Sequence, residues 1–268
     1  MELRDQSLVQ LRERLRACTG ADPALLRALQ RDPRTGAQAL ARSFERMWQR
    51  DAAERVRLWR MFRFERVLRA RGHGLIAGVD EVGVGPLAGP VVAAAVILPE
   101  GVQLARLDDS KRLARAVRER LEGEIREVAV AVALGWSPHA EVDRVNVFRA
   151  SRLAMRRALD RLPVRPDFAL LDGRAGTDLG LPARFVIGGD RRSASVAAAS
   201  IVAKVCRDRS MRDLDRRYPG YGFESNSGYG TAEHLRALSE RGPTPHHRRS
   251  FAPVRRVLER RGRACRTS

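Results

Sequence analysis

Residues 75–98 read LIAGVDEVGVGPLAGPVVAAAVIL, and the pattern of this stretch decides the fold. Two short apolar runs, LIAGV and VVAAAVIL, flank a segment rich in glycine, and such runs are typical of β-strands. The runs VAVAVAL, FALLD and RFVIG predict three further strands. Helical patterns cover residues 110–128, 145–162 and 195–217, with shorter ones near 231–241 and 253–262. This order predicts a mixed α/β fold whose helices gather late in the chain.

A basic helical extension precedes this region. Residues 1–72 are rich in arginine, and a helix is predicted without interruption from Gln38 to Arg69. Its apolar side chains recur at helical spacing, and we interpret this stripe as packing against the main domain, with a base-stacking surface as the alternative. The stripe consists of Phe44, Met47, Trp48, Ala52, Val56, Trp59 and Phe62. The sequence therefore predicts an extension at 1–72 and a main domain at 73–268 that ends in a helical part.

Composition limits the classes of protein that the chain can belong to. A net charge of +19 favours a polyanionic partner such as nucleic acid, although an arginine-rich bias without any partner is the alternative. No apolar run approaches the roughly 20 residues of a membrane span, and the N-terminus lacks the apolar core of a signal peptide. We therefore expect a cytoplasmic protein with no membrane partner. Cys18, Cys206 and Cys265 are too far apart to predict a disulfide framework or a zinc site.

The two lysines stand out in this composition. Of 51 basic residues only Lys111 and Lys204 are lysine, so the chain uses arginine almost everywhere else. A compact ammonium group suits a phosphate contact that a planar guanidinium does not fit. We interpret both lysines as functional, with a solvated surface for Lys111 and helix packing for Lys204 as the alternatives.

Four acids stand at or just beyond the ends of predicted strands. They are Asp80 and Glu81 after LIAGV, Asp172 after FALL, and Asp190 after RFVIGG. If their strands share one sheet edge, the carboxylates repel one another unless cations neutralise them. Oxygen ligands alone favour magnesium or manganese. The alternative is that each acid is an isolated strand-end or surface charge.

Beyond these acids, a series of motifs resembles ribonuclease HII. GVDEVGVGPLAGPVVAAAVIL at 78–98 is similar to the signature strand pair of that family. The remaining motifs follow in the family's order: DSK at 109–111, LLDG at 170–173, GGD at 188–190, ASIVAKVCRD at 199–208, YPGYGF at 218–223, SGYGT at 227–231 and HRRSF at 247–251. The resemblance implies a ribonuclease H-like catalytic domain with a helical C-terminal part, and the basic extension resembles one found in some bacterial members.

The resemblance also implies an activity. It is that of an endonuclease which hydrolyses the bond 5′ of ribonucleotides in RNA/DNA hybrids or in duplex DNA, leaving a 3′-hydroxyl and a 5′-phosphate. Asp80, Glu81, Asp172 and Asp190 match the family's metal-binding acids, so two Mg²⁺ or Mn²⁺ ions are expected, with Asp80 as the shared ligand. The role implied is the removal of ribonucleotides from DNA. His73, His139 and His234 are interpreted as surface or packing residues, and His246 and His247 are not expected to bind metal.

Substrate contacts are implied in the same way. Gly83, Val84, Gly85 and Tyr229 match positions that sense the 2′-hydroxyl, which both donates and accepts hydrogen bonds. Lys111, Ser200 and Lys204 match positions that face the phosphates or the active site. The chain departs from the family at Val84, where a basic residue is usual, and at Ser227, where bacterial relatives often have lysine. The departure at Val84 puts substrate affinity, or the preference for a single ribonucleotide, in question.

Two other interpretations stay open at this point. One is another enzyme of the same fold, such as a transposase, a Holliday junction resolvase or ribonuclease HIII, although the N-terminal domain and glycine-motif extension of ribonuclease HIII are missing. The other is a non-catalytic or altered-specificity nucleic-acid binding protein. Intact acids at all four positions favour an enzyme, which we expect to act as a monomer.

The substitution Val84→Arg tests the departure in the glycine turn. A guanidinium at this position should add one phosphate contact, so duplex affinity should tighten and its dependence on salt should steepen by about one phosphate's worth. Binding of a duplex with one ribonucleotide, measured over a range of salt concentrations, checks this. An unchanged slope would mean that another residue already supplies the contact.

Overall fold

The computed structural model describes residues 3–18, 20–173 and 179–264, so Cys265 lies outside the described residues. The chain divides into two compact units between Trp59 and Arg60. Cys18 and Cys206 are free thiols. None of the helices in the described ranges is both long and apolar enough to cross a membrane.

The first unit is a small helical core. Its helices are α1 (Leu8–Ala17), α2 (Pro23–Gln30) and most of α3 (Thr35–Met61). The side chain of Asp22 caps α2 by accepting from the N–H groups of Ala24 and Leu25. Phe44 and Trp48 are buried with leucines of α1 and α2. The interpretation that the aromatic stripe packs against the main domain is therefore wrong for these two rings, because they complete the core of their own unit.

The helix predicted through Arg69 is interrupted at Phe62, whose backbone ψ is 11°. Helix α4 (Arg63–Arg69) follows, and it belongs to the second unit. There Leu68 is buried in a cluster with residues of the sheet. No proline or glycine marks the break, so tertiary packing rather than local sequence causes it. The functional boundary at 72 stays a prediction, while the compact units divide earlier.

The second unit is built on a five-stranded sheet in the order β3-β2-β1-β4-β5. Its strands are β1 (Ile76–Val82), β2 (Val91–Ile97), β3 (Ala131–Ser137), β4 (Phe168–Asp172) and β5 (Ala183–Val186). Strands β1, β2 and β3 pair antiparallel, whereas β1, β4 and β5 run parallel. Strand β1 is therefore central, and the ends of β1 and β4 lie at one edge.

Helices cover both faces of this sheet. The helices that follow β2 along the chain are α5 (Arg115–Val128), α6 (His139–Val145), α7 (Val147–Asp160), α8 (Ala194–Arg217), α9 (Phe223–Asn226), α10 (Ala232–Arg241) and α11 (Ala252–Ala264), and α7 and α8 pack on the sheet. Successive residues of a strand point to opposite faces. Ala77 and Val79 of β1 are accordingly buried with residues of α7, whereas Ile76 is buried with Val196 of α8. The mixed α/β fold expected from the sequence is confirmed.

Two glycines let the helices approach the strands closely. A Cβ on Gly78 of β1 would lie 2.0 Å from the carbonyl carbon of Ser195, at the start of α8. A Cβ on Gly135 of β3 would lie 1.9 Å from the carbonyl oxygen of Ala154 in α7. Both contacts are with backbone, which cannot rotate away, so only glycine fits at these positions.

Several element boundaries differ from the prediction. Strand β1 continues to Val82, so Asp80 and Glu81 lie within it rather than beyond its end. Helix α5 begins at Arg115 rather than at 110, because residues 109–111 form a turn in which Asp109 accepts from the N–H of Lys111. Strand β3 begins at Ala131 rather than at 128, because α5 continues to Val128. The predicted helix 145–162 begins as a separate element at Val147, since Asn146 has a φ of 69° and caps α7.

Candidate active site

Asp80 and Glu81 lie near the end of the central strand and on opposite faces of the sheet. Asp80 points toward α8, where the hydroxyl of Ser200 hydrogen-bonds its carboxylate. Glu81 points toward α7, where Ser151 hydrogen-bonds its carboxylate. Asp80 is only 6% exposed. Because α8 approaches β1 so closely at Gly78, a strand-end carboxylate is buried where it would otherwise be solvated.

Asp172 and Asp190 reach the same edge from different elements. Asp172 is the last residue of β4, which runs parallel to β1, and its Oδ1 accepts from the N–H of Gly189 at 2.7 Å. Asp190 lies in the short 3-10 turn Gly189–Arg191 that leads into α8, and it is 5% exposed. The hydrogen bond to Gly189 ties the two segments together. The structure thus brings all four predicted acids to one edge of the sheet.

Burial and mutual repulsion disfavour the charged forms of these acids. Burial raises the pKa of Asp80 well above its ordinary value, and the charges of Glu81 and Asp172 raise it further. Burial and the Asp172 charge raise the pKa of Glu81. The pKa of Asp190 is also raised, by burial and then by Asp109 and Asp172. The site therefore gathers more negative charge than its own surroundings neutralise.

A divalent cation fits this donor set. The four acids offer only oxygen atoms, and hard cations such as Mg²⁺ and Mn²⁺ prefer carboxylate oxygens. Within the described ranges, no three acidic, histidine or cysteine side chains already converge tightly enough to enclose an ion. The fit therefore depends on the chemistry and charge of the donors.

Ser200 and the two lysines take different positions around these acids. Besides its bond to Asp80, Ser200 shares a hydrogen bond of 2.9 Å with the buried hydroxyl of Ser110. The exposed Lys111 is close enough to Asp190 to favour its charged form. Lys204 is paired with Asp208 at 2.6 Å on the same helix. The structure therefore brings Ser200 and Lys111 to the acids, whereas the Lys204 ammonium is held by a carboxylate of its own helix.

Asp109 is a fifth acid at this site, and the sequence analysis did not single it out. It is fully buried, and its carboxylate accepts from the N–H of Lys111 at 2.9 Å and from the guanidinium of Arg191 at 3.0 Å. Although burial alone would raise the pKa of Asp109, these two partners lower it. Asp109 thus stays charged and holds Arg191 beside Asp190. The DSK motif at 109–111 was the available signal, but a role was predicted only for its lysine.

The glycine turn and Tyr229 lie against each other. Gly83 has a φ of +91°, and a Cβ there would lie 2.2 Å from Nε of Arg207, so glycine is required. A Cβ on Gly85 would lie 3.4 Å from Cε1 of Tyr229, which places the tyrosine ring beside the turn. Val84 is 37% exposed and Tyr229 is 48% exposed. Val84, Gly85 and Tyr229 therefore form one accessible surface, whereas Gly83 is buried.

Two buried arginines hold this turn, and sequence reasoning missed both. Arg248 is fully buried and donates to the carbonyl oxygens of Gly83 at 2.6 Å and Val84 at 2.9 Å. Arg207 is also fully buried and donates to the carbonyls of Pro90 and Ser227, both at 3.0 Å. They lie in the motifs HRRSF and ASIVAKVCRD, but sequence alone does not reveal that a guanidinium is buried.

These arginines carry an electrostatic cost. Burial lowers the pKa of Arg207 to about 10, and burial together with the charge of Arg207 lowers the pKa of Arg248 to about 9. Both guanidiniums therefore stay charged at neutral pH. A carbonyl that accepts a hydrogen bond makes the N–H of the same peptide group a stronger donor. Arg248 thus strengthens the amide donors of Val84 and Gly85.

Comparison with known proteins identifies the chain. The family model described as Ribonuclease HII matches residues 77–254, and the model described as Ribonuclease HII N-terminal domain matches residues 7–69. The chain belongs to the ribonuclease HII family. As a member of this family it is an enzyme, a ribonuclease H endonuclease. The sequence-based family assignment is confirmed, and the non-catalytic alternative loses its support.

Individual relatives cover most of the chain. The ribonuclease HII of Myxococcus xanthus is 50% identical over 241 residues, which are 90% of this chain and 82% of the relative. That of Enterococcus faecalis is 44% identical over 257 residues, 94% of this chain and 99% of the relative. The crystal structure of ribonuclease H2 from Pyrococcus horikoshii matches with a TM-score of 0.58 and 28% identity, covering 69% of this chain and 97% of that one. This structural match supports the ribonuclease H-like fold of the second unit.

The substitution Asp80→Asn tests the repulsion at the sheet edge. An acid whose pKa is raised on folding contributes stability that is complete below its unfolded pKa, near 4, and is lost as pH rises through the folded pKa. With a chelator present, the free energy of unfolding of Asp80→Asn should exceed that of the wild type by more at pH 7 than at pH 4. The increase should be about 1.4 kcal/mol for each unit by which folding raises the pKa of Asp80. Urea unfolding at both pH values measures this.

Glu122→Gln is the control with the opposite sign. Burial alone would raise the pKa of Glu122, but hydrogen bonds from Arg126 and Arg209 lower it overall. Its stabilising contribution is present above the unfolded pKa and is lost as pH falls, so Glu122→Gln should lose stability at pH 7 and less at pH 4. A stability difference for Asp80→Asn that does not change with pH, or that falls as pH rises, would contradict the repulsion.

Proposed function

We propose that the protein hydrolyses the phosphodiester bond on the 5′ side of ribonucleotides, both in RNA/DNA hybrids and in duplex DNA that contains single ribonucleotides. The products would be a 3′-hydroxyl and a 5′-phosphate. The observation that carries the proposal is the set of four acids, of which Asp80 and Asp190 are buried, whose charges oppose one another at the edge of the sheet. Membership of the ribonuclease HII family, whose activity is metal-dependent, supports it.

The four acids would hold two divalent cations, Mg²⁺ or Mn²⁺. Bound there, the ions supply an activated water on one side of the scissile phosphate and charge stabilisation of the departing 3′ oxygen on the other. Asp80 is the natural shared ligand, because the charges of both Glu81 and Asp172 act on it. Ser200 orients the carboxylate of Asp80, and the N–H of Gly189 orients that of Asp172.

Recognition of the ribonucleotide would fall to the exposed surface beside these acids. The amides of Val84 and Gly85 can donate to the 2′-hydroxyl, and the absence of a side chain at the exposed Gly85 lets a sugar approach. The hydroxyl of Tyr229 can donate to the same group or accept from it, while the ring stays against Gly85. A Cβ on Gly85 would lie 3.4 Å from the tyrosine ring, and this proximity supports the assignment of both elements to one contact.

Cations would bind the phosphates on either side of the cleavage point. Lys111 is exposed and is the stronger candidate. Lys204 would have to exchange Asp208 for a phosphate, or act by keeping Asp208 neutralised. The basic extension 1–72 would add affinity for the duplex. We infer a cytoplasmic monomer whose role is the removal of ribonucleotides from DNA.

Cleavage mapping tests the proposed function directly. One duplex carries a single ribonucleotide in DNA, and the other carries a tract of RNA paired with DNA. We expect cuts 5′ of the ribonucleotide in both when Mg²⁺ or Mn²⁺ is present, 3′-hydroxyl ends, and no cuts in an all-DNA duplex. Cleavage of the tract alone would mean that Val84 has changed the specificity, and cleavage of neither would overturn the proposal.

Tyr229 variants separate ribonucleotide sensing from general nuclease chemistry. Tyr229→Phe removes one hydrogen bond worth about 0.5 to 1.5 kcal/mol, so kcat/KM on the single-ribonucleotide duplex should fall roughly threefold to tenfold. Tyr229→Ala should cost clearly more, because it also removes the ring. Neither variant should cut all-DNA duplex, since the turn amides remain. Equal activity of the wild type and both variants would return Tyr229 to a packing role.

A further inference from the structure

Two histidines form a buried chain behind the loop that carries Tyr229. His234, in α10, and His247 are 0% and 1% exposed, and their Nε2 atoms are 3.0 Å apart. Nδ1 of His234 lies 2.8 Å from the carbonyl oxygen of Tyr229. At the other end, Nδ1 of His247 lies 2.9 Å from the backbone nitrogen of Thr244. An unbroken series of hydrogen bonds therefore runs from Thr244 to the backbone of Tyr229.

The direction of this series follows from its two ends. The N–H of Thr244 can only donate, so Nδ1 of His247 accepts and its hydrogen is on Nε2. That hydrogen is donated to Nε2 of His234, which leaves the hydrogen of His234 on Nδ1. Nδ1–H then donates to the carbonyl of Tyr229, which can only accept. Both rings are neutral, and each has its tautomer fixed by its neighbour.

The surroundings favour this neutral arrangement. Burial lowers the pKa of His247 to about 3, with a further contribution from His234, and burial also lowers the pKa of His234. A second proton on His234 would place two N–H groups against each other at the 3.0 Å contact, and a second proton on His247 would face the N–H of Thr244. The ring of Phe223 packs at an angle against both imidazoles, with centroid distances of 5.3 Å to His234 and 5.7 Å to His247. The pair therefore has little freedom to rotate.

The backbone of Tyr229 needs such a hold. Its side chain is half exposed, so packing alone does not fix the ring. Its N–H donates to the carbonyl of Asn226 at 2.9 Å, and its carbonyl also accepts from the N–H of Thr231 at 2.8 Å. Those two bonds stay within the loop. The bond from His234 anchors the loop to α10 and, through His247, to the segment that contains Arg248.

We infer that His234 and His247 are positioning residues for ribonucleotide recognition. The donation from His234 to the Tyr229 carbonyl fixes the loop so that the tyrosine ring stays against Gly85, with its hydroxyl held where a 2′-hydroxyl binds. This inference rests on the proposed role of Tyr229 as a sensor. The role of the pair differs from core packing, because the pair acts through one specific N–H group, that of His234 Nδ1.

Two substitutions of His234 separate positioning from packing. The side-chain amide of asparagine reaches the place of Nδ1 and can still donate to the Tyr229 carbonyl, but it loses His247. The amide of glutamine reaches the place of Nε2 and can still meet His247, but it loses the donation. His234→Gln should therefore lower kcat/KM on the single-ribonucleotide duplex roughly threefold to tenfold, the cost of a misplaced hydrogen bond, and His234→Asn by less than about twofold. Equal losses in the two variants would make the role packing alone.

The same two substitutions in the Tyr229→Ala background complete the test. If His234 acts through the tyrosine, the difference between glutamine and asparagine disappears once the ring is gone, and the two effects are not additive. A difference that persists would show that His234 acts elsewhere. If Tyr229 is not a sensor, Tyr229→Ala alone would have the kcat/KM of the wild type on the single-ribonucleotide duplex. That result would overturn the inference together with the sensor role.

A measurement on the wild type guards against variants that do not fold. The ¹⁵N chemical shifts of the imidazoles report which ring nitrogen carries hydrogen. We expect His234 as the Nδ1–H tautomer, His247 as the Nε2–H tautomer, and both rings neutral at pH 7. An Nε2–H tautomer of His234 would exclude the donation to Tyr229 and overturn the inference whatever the variants do.

Discussion

Repulsion among buried carboxylates is the constraint on which the rest of the catalytic unit depends. The parallel pairing of β1 and β4 puts Asp80 and Asp172 at the same edge, and the turn after β5 adds Asp190. Helix α8 then covers Asp80, since Gly78 allows the helix backbone to approach. Each of these steps raises the free energy of the charged site. A divalent cation bound there would neutralise the repulsion and lower this free energy, so the arrangement of the acids favours binding of a cation.

The glycine turn and the Tyr229 loop beside these acids are stabilised by hydrogen-bond donors instead. The glycine turn and the Tyr229 loop are held by buried donors: the guanidiniums of Arg207 and Arg248, and the imidazole of His234. These groups donate to backbone carbonyls, so the segments are fixed without bringing further carboxylates to the site. Positive charge on the two guanidiniums also lies beneath the surface where a polyanion would bind. The acids and the recognition surface are thus stabilised by different physics within one unit.

How much the sequence could predict depended on whether a feature is local. Asp80, Glu81, Asp172 and Asp190 were predictable because strand ends follow from apolar runs, and the family resemblance placed the rest. The roles of Arg207, Arg248 and His234 were not, because their partners are carbonyls that only the folded chain brings near. His234 was expected to be a surface or packing residue, and its burial alone agrees with that.

Other differences have the same origin. Phe62 interrupts a helix that local sequence would continue, since α4 packs into the catalytic unit. Lys204 was selected as a phosphate ligand for its rarity, yet the structure pairs its ammonium with Asp208. This pair is an exception, because the i, i+4 spacing of Lys204 and Asp208 on the predicted helix indicates the contact. Asp109 was overlooked because only its complete burial distinguishes it from an ordinary turn residue.

Proton release on cation binding tests the central claim most directly. If burial and repulsion raise the pKa values of Asp80 and its neighbours, part of the site is protonated in mildly acidic solution, and Mg²⁺ must displace those protons. Titration calorimetry near pH 6, repeated in buffers of different ionisation enthalpy, counts the protons released. The account predicts a buffer-dependent heat for the wild type that shrinks in Asp80→Asn. A binding heat that is independent of the buffer would contradict it.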